Sequence, residues 1–457
     1  MKNLKFRIIP LMTLLILLGC DNFVTVETPN SQLTGSTVFE DSNTANAAMV
    51  AIYAKLRDGG LLSGSTSSSS ATLGMYTDEL IYFGGNDENT FPLFTNNLLP
   101  TTSLVSQQWN TSYHQIYCAN AVIEGCEYST ALSNAHKNQF IGEALFVRAL
   151  VHGYLVGVYG DVPYIISTDY ATNKLEERMP VADVYEMMIN DLERAVTLLP
   201  DAYVSPERVR PNRSTASALL ARMYLYVGQW AEASNAASAV INNSLYVWED
   251  DIDAVFLKES STTIWQFSPK LEGNNTDEGE LFIFESGPPP YIGLSSELFN
   301  SFGTNDLRKT HWIATISDGT TTWYHAHKYK QQSNTGTSLE YSIIFRLSEQ
   351  YLIRAEARAR QGELSSAKED LDKVRQLAGL ANTTAVTADE IVAAVMEERR
   401  HELFTEYGHR FFDLKRNGLL NTVLPQVKPG WNTTDQFWPL PENELLVNPN
   451  LTQNPGY

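Results

Sequence analysis

The 457-residue chain is poor in cysteine and in cations, and each scarcity excludes a class of protein. Three cysteines, Cys20, Cys118 and Cys126, are too few for a disulfide-stapled framework. Cys118 and Cys126 would lie about 12 Å apart on the helix predicted there, beyond the reach of a disulfide, so two buried free thiols are expected. Lysine and arginine number 33 against 53 aspartates and glutamates. Such an acidic chain repels phosphate backbones, and nucleic acid is not an expected partner.

Catalytic signatures are also missing from the sequence. It contains no nucleophile elbow, phosphate-binding loop or zinc-protease motif. His401-Glu402 imitates the start of a zinc-protease motif, but position 405 is Thr405 and the next histidine, His409, lies two helical turns away. The sequence therefore predicts a protein without catalytic residues and without a cofactor.

Two patterns typical of metal sites leave alternatives open. His325 and His327 could share one strand face as a metal pair, although no third ligand is evident. The acidic run at 86–89 could hold calcium, but a solvated loop is the more common outcome of such a run. Neither pattern is sufficient to predict a metal.

The N-terminus has the arrangement of an export signal. Three cations precede an apolar run at residues 8–18, and a small residue, Gly19, stands before Cys20. The run is much shorter than the roughly 20 residues that a membrane-spanning helix needs, and no later segment is expected to approach that length. Removal of residues 1–19 takes away the three cations and changes the formal charge from −20 to −23.

Residues 17–20, Leu-Leu-Gly-Cys, resemble the lipobox of bacterial lipoproteins. This resemblance implies that residues 1–19 are a lipoprotein signal peptide, that Cys20 is acylated, and that its acyl chains hold the protein to a membrane. The polar residues that follow favour a flexible tether over residues 20–44. A second polar stretch, at 64–70, favours a mobile loop.

Apolar residues recur at helical spacing along most of the chain, so the protein is predicted to be mostly α-helical. No proline-rich, charged or repetitive linker interrupts the mature chain, which favours one large unit over residues 45–457. The predicted helices cover residues 44–58, 105–127, 137–158, 181–199, 214–227, 230–243, 346–361, 364–378 and 388–416.

Two of these helical stretches share the spacing of their small residues. The spacing is typical of tetratricopeptide repeats, in which small residues lie where paired helices touch and a bulky residue opens the second helix. About four helix pairs are therefore expected, although ordinary helical hairpins would produce a similar pattern. The matched sets are Ala221, Gly228, Trp230 and Ala233, and Ala355, Gly362, Leu364 and Ala367.

The pattern changes between about 246 and 345, where short β-prone runs alternate with glycine, asparagine and proline. The runs at 263–267 and 281–284 are predicted strands. A repeat scaffold with a loop-rich, partly β insertion is expected when rigid helices present a ligand-binding region. The insertion would separate an N-terminal part at about 45–245 from a C-terminal part at about 346–457.

Four segments resemble, in order, the SusD/RagB family of nutrient-binding outer-membrane lipoproteins, and together they span nearly the whole mature chain. One segment alone would be a weak signal, whereas four in the same order are specific. The segments are EALFVRA at 143–149 with YGDVPY at 159–164, RLSEQYLIRAEA at 346–357 with AGL at 378–380, ERRHEL at 398–403 with EYGHRFFDLKR at 406–416, and WPLP at 438–441 with QNPGY at 453–457.

The resemblance implies a tetratricopeptide-like fold and a non-catalytic surface protein that captures oligosaccharides for a SusC-type TonB-dependent transporter in the outer membrane. The helix pairs would hold the transporter, while the loops around the ligand vary. Some members of the family bind peptides, so a peptide ligand stays an alternative. The residues after Cys20 lack a strongly acidic export tag, which leaves the outward-facing placement open.

The third segment also has a physical interpretation of its own. On a single helix over 388–416, its charged residues would lie opposite its apolar residues. Thr387 and Glu390 supply a capping box, and Gly418 ends the helix. Carboxylates beside arginine favour ion pairs to neighbouring helices over an acid/base site. The charged residues are Glu398, Glu402, Glu406, Arg410 and Asp413.

A glycan ligand favours aromatic side chains in irregular polar segments, because sugar C–H faces stack on rings and sugar hydroxyls need polar partners. Trp312 and Trp323 flank a Ser-Asp-Gly-Thr turn and are expected as neighbours on the two arms of a hairpin. A glycoside hydrolase using Asp306 and Glu340 is an alternative that depends on the separation of the two carboxylates. The candidate ligand contacts are Trp312, Trp323, Tyr82, Phe83, Tyr291, Tyr76, Asp78 and Asn86.

Replacing Cys20 tests the lipid anchor. We expect Cys20→Ala to move from the membrane fraction to the soluble fraction, because no thiol remains at that position to be acylated, and to keep its ligand binding. Cell fractionation and immunoblotting measure the distribution, with Cys118→Ala as the control that retains Cys20. A Cys20→Ala protein that stays in the membrane fraction would contradict the predicted anchor.

Overall fold

The structure is a computed structural model that describes residues 35–457. Cys20 and the predicted signal peptide lie outside the described residues. Helices dominate the described part of the chain. They are α1 Gly35–Val38, α2 Ser42–Asp58, α3 Ser69–Tyr76, α4 Thr90–Phe94, α5 Ser103–Tyr128, α6 Asn134–Tyr159, α7 Tyr170–Asn173, α8 Val181–Leu198, α9 Arg213–Tyr226, α10 Trp230–Ile241, α11 Asp277–Phe282, α12 Ser296–Ser301, α13 Leu307–His311, α14 Leu347–Arg360, α15 Leu364–Leu377, α16 Ala388–Glu402, α17 His409–Arg416, α18 Leu420–Val423 and α19 Glu442–Val447.

Local sequence accounts for most of the helix bounds. Every predicted helix except the last agrees with the structure to within three residues at either end. Asn212 caps α9, where its side chain accepts the N–H of Thr215 and the Thr215 side chain bonds back to the Asn212 backbone. Thr387 and Glu390 form the same reciprocal cap at the start of α16, as predicted.

The long helices stack in succession as a tetratricopeptide-like scaffold, which confirms the predicted fold class. α5, α6, α8, α9 and α10 each pack on the next helix in this series. α10 then packs directly on α14, and α14 packs on α15 and α16, so the insertion does not separate the two matched helix pairs in space. Gly228 and Gly362 turn the chain between the paired helices at φ +76° and +84°. Glycine adopts this left-handed conformation without strain.

One helix within the described residues is long and apolar enough to cross a membrane. It is α6, and 94% of its most apolar stretch is buried inside the protein. The expectation that no later segment would reach this length was wrong. A helix covered by neighbours on all sides is apolar all round, and α6 has that position in the scaffold.

The strands of the described residues are short and form two sheets. They are β1 Leu80–Tyr82, β2 Thr263–Phe267, β3 Ile292–Leu294, β4 Ile313–Ser317, β5 Thr322–Ala326 and β6 Ser342–Arg346. β2 and β6 pair with each other, and the other four form a second antiparallel sheet in the order β1-β3-β5-β4. The strand predicted at 281–284 is wrong, because Thr276 caps a helix there and three acidic residues occupy the first turn of α11.

Two segments predicted to be flexible are packed into the protein. The tether predicted for 20–44 is wrong for its described end, where α1 and the start of α2 are helical and Phe39 is buried. The ring of Phe39 packs directly on Gly125, because a Cβ on residue 125 would lie only 2.1 Å from the nearest ring atom of Phe39. The mobile loop predicted for 64–70 is also wrong, since Ser68 caps α3 and the Ser70 hydroxyl accepts the N–H of Tyr407 at 2.8 Å.

The single helix predicted over 388–416 is two helices, α16 and α17, joined by a turn. Thr405, Tyr407 and Gly408 have positive φ in this turn. The ammonium of Lys328 bonds to the carbonyls of Glu402 and Phe404 at 2.7 and 2.9 Å, which satisfies acceptors that the end of α16 leaves free. The break therefore depends on a residue far away in sequence.

The charged residues of α16 and α17 pair with other elements, as an ion-pair ladder between helices requires. Glu398 and Glu402 both contact Arg308, at 2.6 and 3.0 Å. Glu402 and Glu406 also contact Arg346, at 2.5 and 2.7 Å. We call the buried set of Arg308, Arg346, Glu398, Glu402 and Glu406 the charge network. Asp413 pairs with Arg399 and Arg416, and Arg410 pairs with Asp78.

Glu402→Gln is expected to cost roughly 1.5–3 kcal/mol of unfolding free energy at pH 7, because it removes the buried carboxylate that Arg308 and Arg346 share, while Glu398 and Glu406 still pair with them. Burial opposes ionisation of Glu402, but Arg346 and Arg308 lower its pKa to about 2. Its contribution is thus complete above the ordinary pKa of 4.5 and declines as the pH falls toward 2. Urea unfolding of both proteins at pH 7 and pH 3 should show the gap between them shrinking at pH 3.

Glu127→Gln is the matched control for this experiment. Glu127 pairs with Arg194 at the surface, where the two side chains are 43% and 49% exposed. Its loss should change the unfolding free energy by less than about 1 kcal/mol. Equal, small effects of the two substitutions would show that the charge network does not stabilise the fold.

Candidate functional site

Four aromatic side chains lie on and beside the β1-β3-β5 part of the second sheet. They are Tyr82, Phe83, Tyr291 and Trp323, and we call them the aromatic platform. The ring of Tyr82 meets that of Tyr291 edge to face, with centroids 5.3 Å apart. The backbone N–H of Phe83 donates to the carbonyl of Tyr291 at 2.8 Å, which extends the pairing of β1 with β3. The sheet thus brings together rings from three separate segments of the chain.

Strand alternation places Phe83 and Trp323 on the same face of the sheet. Gly293 lies opposite Ile81, and Leu294 lies opposite Tyr324, so Phe83, Gly293 and Trp323 share a face. Phe83 is 36% exposed and Trp323 is half-buried. This face therefore presents aromatic surface to solvent.

Glycine and a carboxylate hold the rings in place. A Cβ at Gly287 would lie 2.1 Å from the indole of Trp323, so that ring rests directly on the backbone. The hydroxyl of Tyr82 donates to Asp87, and the same carboxylate accepts the N–H groups of Asn89 and Thr90 at 2.9 and 2.7 Å. Burial, together with Asp87, raises the pKa of Tyr82 to about 12.

The loop at 86–89 is organised by these hydrogen bonds. Both carboxylate oxygens of Asp87 accept hydrogen bonds from its own segment. Asp87 therefore caps the turn before α4 and is not available as a calcium ligand. Asn86 is exposed at this loop, next to the platform in sequence. It remains a candidate ligand contact.

Trp312 is wrong as a candidate ligand contact, because it is only 1% exposed. Its indole N–H donates to the carbonyl of Ile252 at 3.1 Å, and its ring meets Phe256 edge to face. The predicted hairpin exists, as β4 and β5, but Trp312 lies opposite His327 at its base while Trp323 pairs with Ile316 near its tip. The two tryptophans are therefore not neighbours.

Tyr76 and Asp78 are also structural. Tyr76 is fully buried among Phe411, Trp431 and Trp438, and its hydroxyl donates to the carbonyl of Asp435 at 3.0 Å. Tyr76 is thus wrong as a ligand contact.

Asp78 accepts hydrogen bonds from Arg410 at 2.7 and 2.9 Å and from Arg400 at 3.1 Å. These pairs use the carboxylate inside the protein, so Asp78 is not free for a ligand. Its neighbour Glu79 is buried, and no ion pair joins it to another side chain within residues 35–457. Burial, and then the charge of Asp78, raises the pKa of Glu79 to about 8.

The remaining sequence candidates do not assemble into a reactive site. The rings of His325 and His327 lie 5.6 Å apart, and His325 packs on Phe284 at 4.9 Å. No group of three histidine, cysteine, aspartate or glutamate side chains within residues 35–457 could hold a metal ion. Asp306 pairs with Arg308 at 2.8 Å, and Glu340 accepts the backbone N–H groups of residues 330 and 331 at 2.7 and 3.0 Å. Both carboxylates have structural partners.

Sequence reasoning missed the residues that position the platform. They are Gly287, which precedes three prolines, and Phe94, whose ring packs on Tyr82 with centroids 6.3 Å apart. The alternation within β5 is the sequence signal that separates Trp323 from Tyr324, because it puts the two rings on opposite faces of the sheet.

Two family models match the chain. One, described as starch-binding and associating with the outer membrane, matches residues 41–225. The other, described as the SusD family, matches residues 300–457. Together they cover most of the scaffold, including the second matched helix pair, α14 and α15, whereas α10 of the first pair lies between the two matched ranges.

Individual proteins agree with these models. The SusD-like protein P2 of Formosa agariphila is 27% identical over 99% of this chain and 100% of its own length. A SusD superfamily protein from Bacteroides vulgatus has a similar solved structure, with a TM-score of 0.78, 20% identity and coverage of 92% of this chain and 100% of that one. Surface glycan-binding protein A from Bacteroides thetaiotaomicron, solved in complex with laminarihexaose, has a TM-score of 0.76 at 20% identity and covers 90% of this chain and 99% of its own.

Helix stacking, family models and full-length similarity lead to the same assignment. The structural neighbours show the fold, and the two models together with the full-length relative show descent. The chain belongs to the SusD/RagB family.

Proposed function

We propose that this protein is a non-catalytic, lipid-anchored outer-membrane protein that binds oligosaccharides on the aromatic platform and delivers them to a SusC-type TonB-dependent transporter. The exposed aromatic face formed by Phe83 and Trp323 is the observation that carries the proposal. Flat rings open to solvent are the surfaces on which sugar C–H faces stack.

Polar groups beside the rings complete the chemistry of a sugar site. Asn86 is exposed, and the hydroxyls of Thr90 and Tyr291 lie 3.3 Å apart at the edge of the platform. Sugar hydroxyls need such donors and acceptors once they leave water. The Phe83 and Trp323 face thus offers apolar stacking surface, and Asn86, Thr90 and Tyr291 supply hydrogen-bonding groups next to the same strands.

The comparisons support a glycan over a peptide. One of the matching family models is described as starch-binding, and a structural neighbour was solved with laminarihexaose. A peptide binder would depend more on backbone-binding Asn and Asp side chains. Asp78 is already paired with two arginines and Asp87 with its own loop, so neither carboxylate is free for a peptide backbone.

The N-terminus and the family support the proposed location. The Leu-Leu-Gly-Cys sequence ending at Cys20 supports lipidation, and the family description supports association with the outer membrane. Asp306 and Glu340, the candidate catalytic carboxylates, bond to structural partners instead of facing a substrate. A protein that delivers its ligand to a transporter does not need to cleave it, so the proposed role agrees with this arrangement.

Trp323→Ala is expected to lower glycan affinity by roughly tenfold or more, because it removes a stacking surface. Affinity gel electrophoresis through laminarin, starch, galactomannan and xyloglucan measures the loss, starting from whichever glycan retards the unmodified protein. Trp312→Ala should instead cost roughly 3–5 kcal/mol of unfolding free energy through a cavity in the core, with glycan binding by the folded fraction unchanged.

Trp230→Ala is the control for a tryptophan outside the platform. Trp230 is half-buried on α10 beneath Arg360, whose guanidinium lies 5.4 Å from the ring centroid. This variant should bind glycan as the unmodified protein does. Normal retardation of Trp323→Ala, or binding of a peptide library in place of every glycan, would overturn the proposed function.

A further inference from the structure

Residues 287–290 have the sequence Gly-Pro-Pro-Pro, and we call them the proline segment. The first residue of this segment contacts one exposed ring of the aromatic platform. A Cβ on Gly287 would lie 2.1, 2.2 and 2.7 Å from three atoms in the six-membered ring of the Trp323 indole. The indole thus packs on the bare backbone of Gly287, and the proline segment begins directly against Trp323.

The third residue of the proline segment contacts the sheet beside the other exposed ring. Pro289 is buried, and its Cγ would lie 3.4 Å from a Cβ on Gly293. Cε2 of Phe83 would lie 3.5 Å from the same Cβ, so the rings of Pro289 and Phe83 both pack over Gly293. The proline segment therefore extends from the ring of Trp323 toward that of Phe83.

The strand register sets the two aromatic residues apart. The N–H of Phe83 donates to the carbonyl of Tyr291, whereas the pairing of β3 with β5 places Trp323 beside residue 295. Four steps of extended chain separate residues 291 and 295, which is about 13 Å at the rise of a β-strand. A single sugar ring is much smaller than this. A ligand that stacks on both Phe83 and Trp323 is therefore an oligosaccharide.

Two rings of the proline segment face solvent. Pro288 and Pro290 are exposed on either side of the buried Pro289. A proline ring presents C–H groups and its nitrogen carries no N–H, so an apolar sugar face covers no hydrogen-bond donor when it packs there. Proline also fixes φ, so the segment keeps its shape before a ligand arrives and loses little entropy on binding.

We propose that Pro288 and Pro290 are glycan contacts, and that the middle sugar rings of a bound oligosaccharide pack on them while the flanking rings stack on Phe83 and Trp323. The inference rests on the proposed function and extends its binding surface. The two aromatic rings and the prolines between them then act as one apolar surface, which recognises several consecutive sugars.

Pro288→Ser and Pro288→Phe distinguish a contact from a stiffening role. Both substitutions release φ at residue 288, but only Pro288→Phe keeps an apolar surface there. We expect Pro288→Ser to lower glycan affinity roughly threefold or more, because it removes buried C–H contacts. Pro288→Phe should retain the affinity, because sugar C–H faces also stack on an aromatic ring.

Affinity gel electrophoresis measures both variants, with whichever of laminarin, starch, galactomannan and xyloglucan retards the unmodified protein. Pro290→Ser and Pro290→Phe should repeat the pattern. They serve in place of the first pair if thermal melting shows a variant at residue 288 to be unfolded. Pro180→Ser is the matched control, since Pro180 is an exposed proline at the start of α8 in the scaffold. It should bind glycan as the unmodified protein does.

Two results would overturn the inference. Pro288→Ser and Pro290→Ser could both bind as Pro180→Ser does, or the serine and phenylalanine variants could lose affinity alike, which would show that the prolines act through stiffness alone. Either result leaves the proposed function standing, provided that Trp323→Ala weakens binding. If no glycan retards the unmodified protein, the proposed function fails and this inference fails with it.

Discussion

Glu402 lies buried between the guanidinium groups of Arg308 and Arg346, and the position of the ligand-binding region depends on this arrangement. Arg308 belongs to α13, directly before β4, and Arg346 ends β6. Lys328, just after β5, bonds to the turn that follows Glu402. The charge network and Lys328 thus tie the β4–β5 hairpin, which carries Trp323, and β6 to the C-terminal helices of the scaffold. Because buried charges are costly unless they stay paired, few alternative packings are available to these strands.

The scaffold and the platform have different physical requirements. The stacked helices are stabilised by the burial of apolar side chains along their shared faces. α6 is the extreme case, because it is apolar enough to cross a membrane and is enclosed by protein. The platform instead leaves Phe83 and Trp323 partly in water and holds them through Gly287, Asp87 and short strands. A rigid base allows exposed rings to keep their orientation at little entropic cost when a ligand binds.

The sequence by itself determined what depends on near neighbours in the chain. Helical periodicity and the caps at Asn212 and Thr387 placed most helix ends, and the spacing of Gly228 and Gly362 identified the paired helices. The tertiary structure alone decided which aromatic residues face solvent, because the burial of Trp312 depends on Ile252 and Phe256 and that of Tyr76 on the C-terminal segment. The tertiary structure also determines the end of α16 at Glu402, where the ammonium of Lys328 donates hydrogen bonds to the backbone carbonyls of Glu402 and Phe404. These contacts join residues that are distant in sequence, so local patterns carry no information about them.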